Sequence, residues 1–314
     1  MNPVKTITVV SGCLNEAENI ETFVSRVRSA FEQLPQYAYE FIIIDNASTD
    51  GTQEILRRLA AQDRSIKVIL NARNFGHIRS PCHALMQARG DAVLLLASDL
   101  QDPPELIPEF VAKWEGGCKA VVGVKNQSEE TPIFFFVRRC YYRLVNRLAE
   151  FALIQDFTGF GLYDQAIIDY CRNVDDPYPY FRGLISEIGL PTAQIPFVQP
   201  RRKRGFTKNN FYTLYDIGML GITNHSKVPL RLATMMGFAL SFLSLLVALA
   251  YLIYKLLFWN RFTLGMAPLV IGLFLFSSVQ LFFIGILGEY IGAIHTQIRK
   301  QPLVVEKERI NFQA

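Results

Sequence analysis

The chain has 314 residues, of which 50% are hydrophobic and 19% charged, with a formal net charge of +4. That length suits about two domains, and the composition excludes a disordered chain, a coiled coil and a nucleic-acid-coating protein, so no nucleic-acid partner is expected. Charge falls short of the ~25% usual in soluble domains, which points to contact with lipid.

Lys5 precedes a short strand-like run, and the acidic Glu16 and Glu18 soon follow, so the N-terminus carries no signal-peptide pattern. From there to residue 125 apolar runs alternate with amphipathic segments. Strands are predicted over Thr6–Ser11, Tyr39–Asp45, Ser65–Leu70, Ala92–Ala97 and Lys119–Gly123. Helices are predicted over Glu16–Leu34, Thr52–Asp63, Ile78–Ala88 and Pro104–Trp114. This alternation argues for an α/β domain with a mainly parallel sheet. Ligands of such sheets bind beyond the carboxyl ends of the strands. Polar residues gather there: Asn15 and Glu16 after the first strand, Asp45 to Asp50 after the second, Ser98 to Asp102 after the fourth.

Two long uncharged stretches follow, 23 residues between Arg231 and Lys255 and 27 between Arg261 and Glu289. A helix needs about 20 apolar residues to cross the hydrocarbon core, so each is long enough. The short connector Phe258–Leu264 makes them a hairpin with both ends on one side. Residues 199–231 hold seven basic residues against Asp216 alone, and the C-terminal tail adds Arg299, Lys300, Lys307 and Arg309. The excess of Lys and Arg puts both flanks in the cytoplasm, with Tyr254 and Trp259 at the outer interface and Tyr290 at the inner one. The expected organisation is a catalytic domain over 1–200, a basic juxtamembrane segment over 201–231, transmembrane helices over 232–258 and 263–294, and a cytoplasmic tail over 295–314. The protein is then a multi-pass protein of the cytoplasmic membrane. Gly237, Gly272, Gly285, Gly288 and Gly292 offer small faces through which the helices could pair in a homo-oligomer.

Familiar chemistries are missing. No G-x-G-x-x-G follows the first strand and no G-x-x-x-x-G-K-[ST] occurs, which removes the main support for a dinucleotide oxidoreductase or a P-loop NTPase. No G-x-S-x-G elbow supports a hydrolase. Five cysteines (Cys13, Cys82, Cys118, Cys140, Cys171) are scattered without C-x-x-C spacing, against a disulfide scaffold or structural zinc site and in keeping with a reducing cytosol. His77, Cys82 and His83 read as helix surface and packing. What remains is acidic strand ends. A buried carboxylate at Asp45 needs partners, either loop amides or donors on a base or ribose, while Ser48 to Asp50 read as helix caps. Asp102 before two prolines reads as a helix start. Asp99 and Gln101, two apart in an extended segment, share a side. They offer hard oxygen ligands for Mg²⁺ or Mn²⁺ shared with a diphosphate. The run Arg201–Arg204 with Thr207 and Lys208 lies just before the membrane, where it could meet a lipid phosphate or only anionic headgroups. Lys125, ending the fifth strand, is a second phosphate candidate.

Leu14-Asn15-Glu16, Ile44 to Thr52, Asn74-Phe75-Gly76 and Ser98 to Glu105 together resemble glycosyltransferase family two. Phe157 to Asp164, Phe181-Arg182-Gly183-Leu184, Arg202 to Lys208, Pro229 to Leu232 and Gly288 to Gly292 narrow the resemblance to the polyprenyl-phosphate glycosyltransferases, including bactoprenol glucosyltransferases and dolichol-phosphate mannose synthases. It covers about residues 5–303. It implies a GT-A fold and inverting transfer of a hexose, with UDP-glucose favoured, to a polyprenyl phosphate at the cytoplasmic membrane face. GDP-mannose and UDP-linked aminosugars remain alternative donors. Asn15, Glu16, Asp45, Asn46, Ser48 and Asp99 would then bind the nucleotide sugar, Asp99 and Gln101 the metal, and Arg202, Thr207, Lys208 and Lys125 the acceptor phosphate. Asp156 falls at the catalytic aspartate position, as a base or an orienting group, with helix capping as its ordinary alternative; Arg182 could pair with Glu187.

The sequence departs from the family in three places. Asn46 stands where a second Asp is common, Ala97 where a D-x-D begins, and Gly161 where the matching loop often has Arg. A processive synthase would need Q-x-x-R-W and pore-lining helices, and a decayed scaffold would have lost its strand-end acids. Asp45, Asp99 and Asp156 are all present.

Overall fold

The computed structural model describes residues 4–127, 154–200 (apart from 175, 177, 178 and 180), 228–258, 266–299 and 301–312. Eight strands form one sheet in the order β7-β5-β6-β4-β1-β2-β3-β8. They are β1 (Thr6–Cys13), β2 (Ala38–Asp45), β3 (Ile66–Asn71), β4 (Ala92–Leu95), β5 (Ala120–Gln127), β6 (Phe157–Asp164), β7 (Thr192–Val198) and β8 (Glu306–Ile310). Six run parallel, while β6 and β8 run against their neighbours.

The central strands read as unbroken apolar runs because both faces are covered. In β2, Phe41 and Ile43 pack on one side, and Ile42 and Ile44 on the other. The first side is closed by α1 (Ile20–Phe31), α2 (Thr52–Gln62) and α4 (Ile107–Glu115), the second by α3 (Gly76–Gln87), α5 (Gln165–Asn173) and α6 (Phe181–Glu187). The apolar stripe of α1, with Phe23, Val24, Val27 and Phe31 buried, is spaced for one helix face.

Several elements differ from expectation. Helix α1 begins at Ile20 because Asn19 and Ile20 donate their backbone N–H to Glu16 O, folding residues 16–19 into a turn. Strand β4 stops at Leu95 because Ala97 N–H turns away to the Asp102 carboxylate. Residues 160 and 161 lie within β6, not in a loop. A Cβ on Gly161 would sit 2.5 Å from Val121 O, so no arginine fits there. Gly161→Ala is accordingly expected to destabilise the domain by about 2–3 kcal/mol, visible as a lower thermal midpoint in detergent. An unchanged midpoint would contradict this packing.

The C-terminal residues are not a free tail. Strand β8 pairs antiparallel with β3, and Asn311 Nδ2 donates to Ala60 O at 2.7 Å and Ile66 O at 2.9 Å. The domain assigned to residues 1–200 thus takes its last edge strand from beyond the apolar segments. Those segments form α7 (Val228–Leu257) and α8 (Met266–Ile298), which touch each other. Leu281 and Phe282 of α8 are 67% and 66% exposed, a surface that water would not favour. Among the described residues, Leu275–Ile298 is long and apolar enough to cross a membrane. The connector residues 259–265 lie outside the described residues.

Candidate active site

Because β6 is reversed, its first residue lies at the same sheet edge as the ends of β1, β2, β4 and β5. This edge gathers Asn15, Asp45, Asp99, Lys125 and Asp156. Four residues here hold left-handed backbone without being glycine: Asn15 (φ 57°), Ala47 (62°), Leu100 (63°) and Asp156 (55°). Such strain costs about 1–3 kcal/mol each and concentrates at functional sites.

The β1 and β2 ends are clasped together. Asn15 N–H donates to Ser48 Oγ at 2.8 Å, Thr49 N–H to Asn15 Oδ1 at 2.9 Å, and Glu16 N–H to Thr52 Oγ1 at 2.9 Å. The buried Glu16 carboxylate accepts from Asn19 Nδ2 at 2.6 Å. Asp45 is fully buried, and its Oδ2 accepts from Ser48 N–H at 2.9 Å and Gln53 Nε2 at 2.8 Å. Cys13 Sγ lies 3.7 Å from Asp45 Oδ1. Burial, then the Asp45 charge, holds the Cys13 thiol well above its usual range, which disfavours the thiolate. Ser48 does not cap α2. Asp50 supplies the caplike bond instead, its Oδ1 accepting from Thr52 N–H at 3.1 Å while Oδ2 takes Ala17 N–H at 3.1 Å. Burial raises the Asp50 pKa, but the Thr52 hydroxyl and these amides outweigh it and leave the group below its ordinary value.

Asn46 was expected to face the donor, yet its amide is fully engaged in the protein. Nδ2 donates to Asn74 Oδ1 at 2.8 Å and Gly76 O at 3.1 Å, and Oδ1 accepts from Phe75 N–H at 2.8 Å and Asn71 Nδ2 at 3.2 Å. An aspartate could make only the last two bonds, which accounts for Asn46 where the family often has Asp.

The segment after β4 is a turn, not an extended run. Leu100 is left-handed, and Gln101 N–H donates to Asp99 Oδ1 at 3.2 Å. The turn, rather than strand alternation, therefore sets how these two residues are placed. Asp102 does not start the following helix. It is buried, closes the loop by accepting from Ala97 N–H at 2.9 Å, and Pro103 takes the capping position. Burial pushes its pKa up to about 7, helped by Asp99 and opposed by the Ala97 amide and Lys125. The Asp99 carboxylate and Gln101 carbonyl are a hard-oxygen pair that fits Mg²⁺ or Mn²⁺ completed by phosphate and water. Among the described residues no three His, Cys, Asp or Glu side chains form a metal cluster. A cation here would therefore lean on its substrate for ligands.

Asp156 is a turn residue just before β6, ahead of a strand instead of a helix, which removes the helix-capping alternative. Its carbonyl accepts from Lys125 N–H at 3.1 Å, so the two predicted residues meet at neighbouring strand ends. Arg182 donates from Nη1 to Phe157 O at 3.4 Å, beside Asp156. His77 on the first turn of α3 is near enough to Arg182 for that charge, after burial, to lower its pKa. Arg182 lies in a motif already singled out, whereas His77, just past Asn74-Phe75-Gly76, reads as helix surface or packing and gives no sequence signal of a place beside the site. Arg202, Thr207 and Lys208 lie outside the described residues.

Both chain connections to the apolar helices also reach this edge. Strand β7 runs parallel to β5 and ends at Val198 on the site side. Strand β8 begins there too, with Glu306 opposite Asn71 at the end of β3.

The sheet order, its reversed sixth strand and its acidic strand ends define a GT-A-type glycosyltransferase, an enzyme. The chain belongs to glycosyltransferase family 2, whose description, Glycosyl transferase family 2, matches residues 8–170. It is 31% identical over 305 residues to the uncharacterized glycosyltransferase YkcC of Bacillus subtilis, covering 95% of this chain and 92% of that one. It is 30% identical over 303 residues to the bactoprenol glucosyl transferase of Shigella phage SfII, covering 96% and 97%. A solved structure of glucosyl-3-phosphoglycerate synthase from Mycobacterium tuberculosis with uridine diphosphate is similar at 20% identity and TM-score 0.47, over 70% of this chain and 78% of that one.

Proposed function

We propose that the protein transfers a hexose, glucose from UDP-glucose in the first instance, to a polyprenyl phosphate at the cytoplasmic membrane face, with inversion at the anomeric carbon. One observation carries this reading: the sheet edge that bears Asp45, Asp99 and Asp156 is also the edge from which the chain leaves for, and returns from, its apolar helices. An acceptor phosphate held at the membrane surface would meet the site there. The name of the phage relative supports the lipid acceptor.

The same connections support two crossings. From Ile298 to Glu306 the chain can span at most about 29 Å, less than the ~40–45 Å of a bilayer with its headgroups. The segment before α7 carries too many charges to cross. If α8 spans the membrane, then α7, about 45 Å long at 1.5 Å per residue, must span it as well. The excess of basic residues on both flanks favours the cytoplasm for the catalytic domain.

In this reaction an acceptor phosphate oxygen attacks the anomeric carbon as the bond to the diphosphate breaks. The phosphate is already anionic and needs positioning more than deprotonation. Asp99 and Gln101 would hold a divalent cation, which would supply positive charge to offset that developing on the departing diphosphate. Asp45 maintains the nucleotide side of the site through Ser48 and Gln53. Asp156, with the adjacent Lys125 and Arg182, orients the acceptor or takes its remaining proton. Asp45→Ala is expected to weaken UDP binding more than tenfold, since it releases two hydrogen bonds of the 45–53 loop. Calorimetry with UDP checks this, and unchanged affinity would count against the assignment.

The basic segment gives the test of the acceptor. Arg202→Ala and Lys208→Ala should each raise KM for polyprenyl phosphate or lower kcat, with donor KM little changed. Losing a charge-assisted hydrogen bond costs about 1.5–3 kcal/mol, or roughly 10- to 150-fold. Arg201→Ala, just outside the motif, should be mildest. Steady-state kinetics in a non-ionic detergent remove the anionic surface. Equal, small effects at all three positions would defeat the acceptor-site reading.

A further inference from the structure

Asn71 ends β3 with 1% exposure, and nothing in the proposed reaction uses it directly. Its Nδ2 donates to Asn46 Oδ1 at 3.2 Å and to Ser80 Oγ of α3 at 2.9 Å. Its Oδ1 is buried with no hydrogen-bond partner among the described residues. Asn46 in turn shapes the loop at Asn74–Gly76. Both its amide hydrogens and two acceptor bonds are spent there and on Asn71, and Asn74 Oδ1 also takes Gly76 N–H at 2.8 Å. Gly76 holds a left-handed φ of 87° and opens α3.

The other side of Asn71 is the C-terminal strand. The β3–β8 register shifts at Leu70/Asn71, and Ala72 N–H donates to Val305 O at 2.9 Å. The outer face of α3 grips the same strap, with His83 Nε2 2.6 Å from Glu306 Oε1 and Arg79 donating to Pro302 O. The loop is therefore fastened at one end by Asn46, which Asn71 holds, and at the other by a helix that both Asn71 and the strap hold.

We propose that Asn71 is a positioning residue that ties the C-terminal strand to the loop at 74–77, so that the strand returning from the apolar helices becomes part of the donor site. This rests on the assignment of the β1–β2–β4 edge to the nucleotide sugar. A chain whose strap detaches would lose the shape of its donor loop while its sheet stays folded.

The experiment compares the full-length protein in non-ionic detergent with Asn71→Ala, with a truncation after Leu303, and with both changes together. Hydrogen–deuterium exchange over residues 72–78 and UDP affinity by calorimetry are read for each. Each single change should speed exchange at 72–78 selectively and weaken UDP binding about five- to tenfold. The double variant should be no weaker than the worse single one, because both act through one link and independent losses would multiply. Multiplying effects, unchanged exchange at 72–78, or faster exchange spread evenly over the domain would each overturn the proposal. If the unaltered protein binds no UDP, the donor assignment fails, while the exchange data still decide whether Asn71 and the strand act on the loop as one unit.

Discussion

Asp99→Ala is expected to abolish hexose transfer while leaving membrane insertion intact, and excess EDTA should do the same to the unaltered protein. Asp99 is the one carboxylate of the hard-oxygen pair beyond β4, where Ala97 replaces the acid that often starts the motif. With so few protein ligands, losing this one leaves a neutral amide alone. A bound cation supplies several kcal/mol of charge stabilisation to a departing diphosphate, and each 1.36 kcal/mol is tenfold in rate. A fall of at least about 10³ in kcat follows. Gln101→Ala should fall less, because it removes a neutral ligand, and raised Mg²⁺ or Mn²⁺ should restore part of its activity. Transfer rates measured across a metal titration check both variants. Full activity in excess EDTA would contradict the assignment.

Asp156→Asn is expected to lower kcat by about 10²- to 10⁴-fold, the range for a group that positions or deprotonates a reactant. UDP affinity should stay within threefold. Asparagine suits the test because it tolerates the left-handed backbone that residue 156 adopts, so β6 should keep its start. Alanine at this position would confound chemistry with strain. If Asp156 takes a proton, the variant loses the acid limb of the kcat–pH profile; if it only orients, the profile keeps its shape at a lower height. A kcat within threefold of the unaltered protein would remove Asp156 from the reaction.

The first half of the sheet is legible in the sequence because each strand is buried on both faces and each helix between them is amphipathic. Strands β1 to β5 and helices α1 to α4 fall within a few residues of their expected places. The later strands are not legible for physical reasons. Strand β6 is glycine-rich, and its pairing comes from insertion between β4 and β5. Strand β8 is five residues of alternating charge at a sheet edge, and only its partner β3, more than two hundred residues away, makes it a strand. The acids of the site are visible as polar residues ending apolar runs. Their partners are not. Nothing at the sequence level says that Asn46 spends its whole amide on the loop at 74–76 and on Asn71, that Asp102 closes a turn instead of capping a helix, or that Arg182 reaches Phe157 O. Asn71 follows an apolar run as Asp45 does. It goes unnoticed because a single asparagine there is also an ordinary strand end.

The central claim is that this sheet edge joins a nucleotide-sugar site to a lipid phosphate. The most direct measurement incubates the purified protein with undecaprenyl phosphate, Mg²⁺ and a panel of radiolabelled donors: UDP-glucose, GDP-mannose and UDP-linked aminosugars. The label is then counted in the lipid phase. Metal-dependent lipid-linked product is expected, with UDP-glucose the best donor and the label lost from the lipid phase when Asp99 or Asp156 is changed. No lipid-linked product from any donor, or release of free sugar to water at the same rate with and without the lipid, would contradict it.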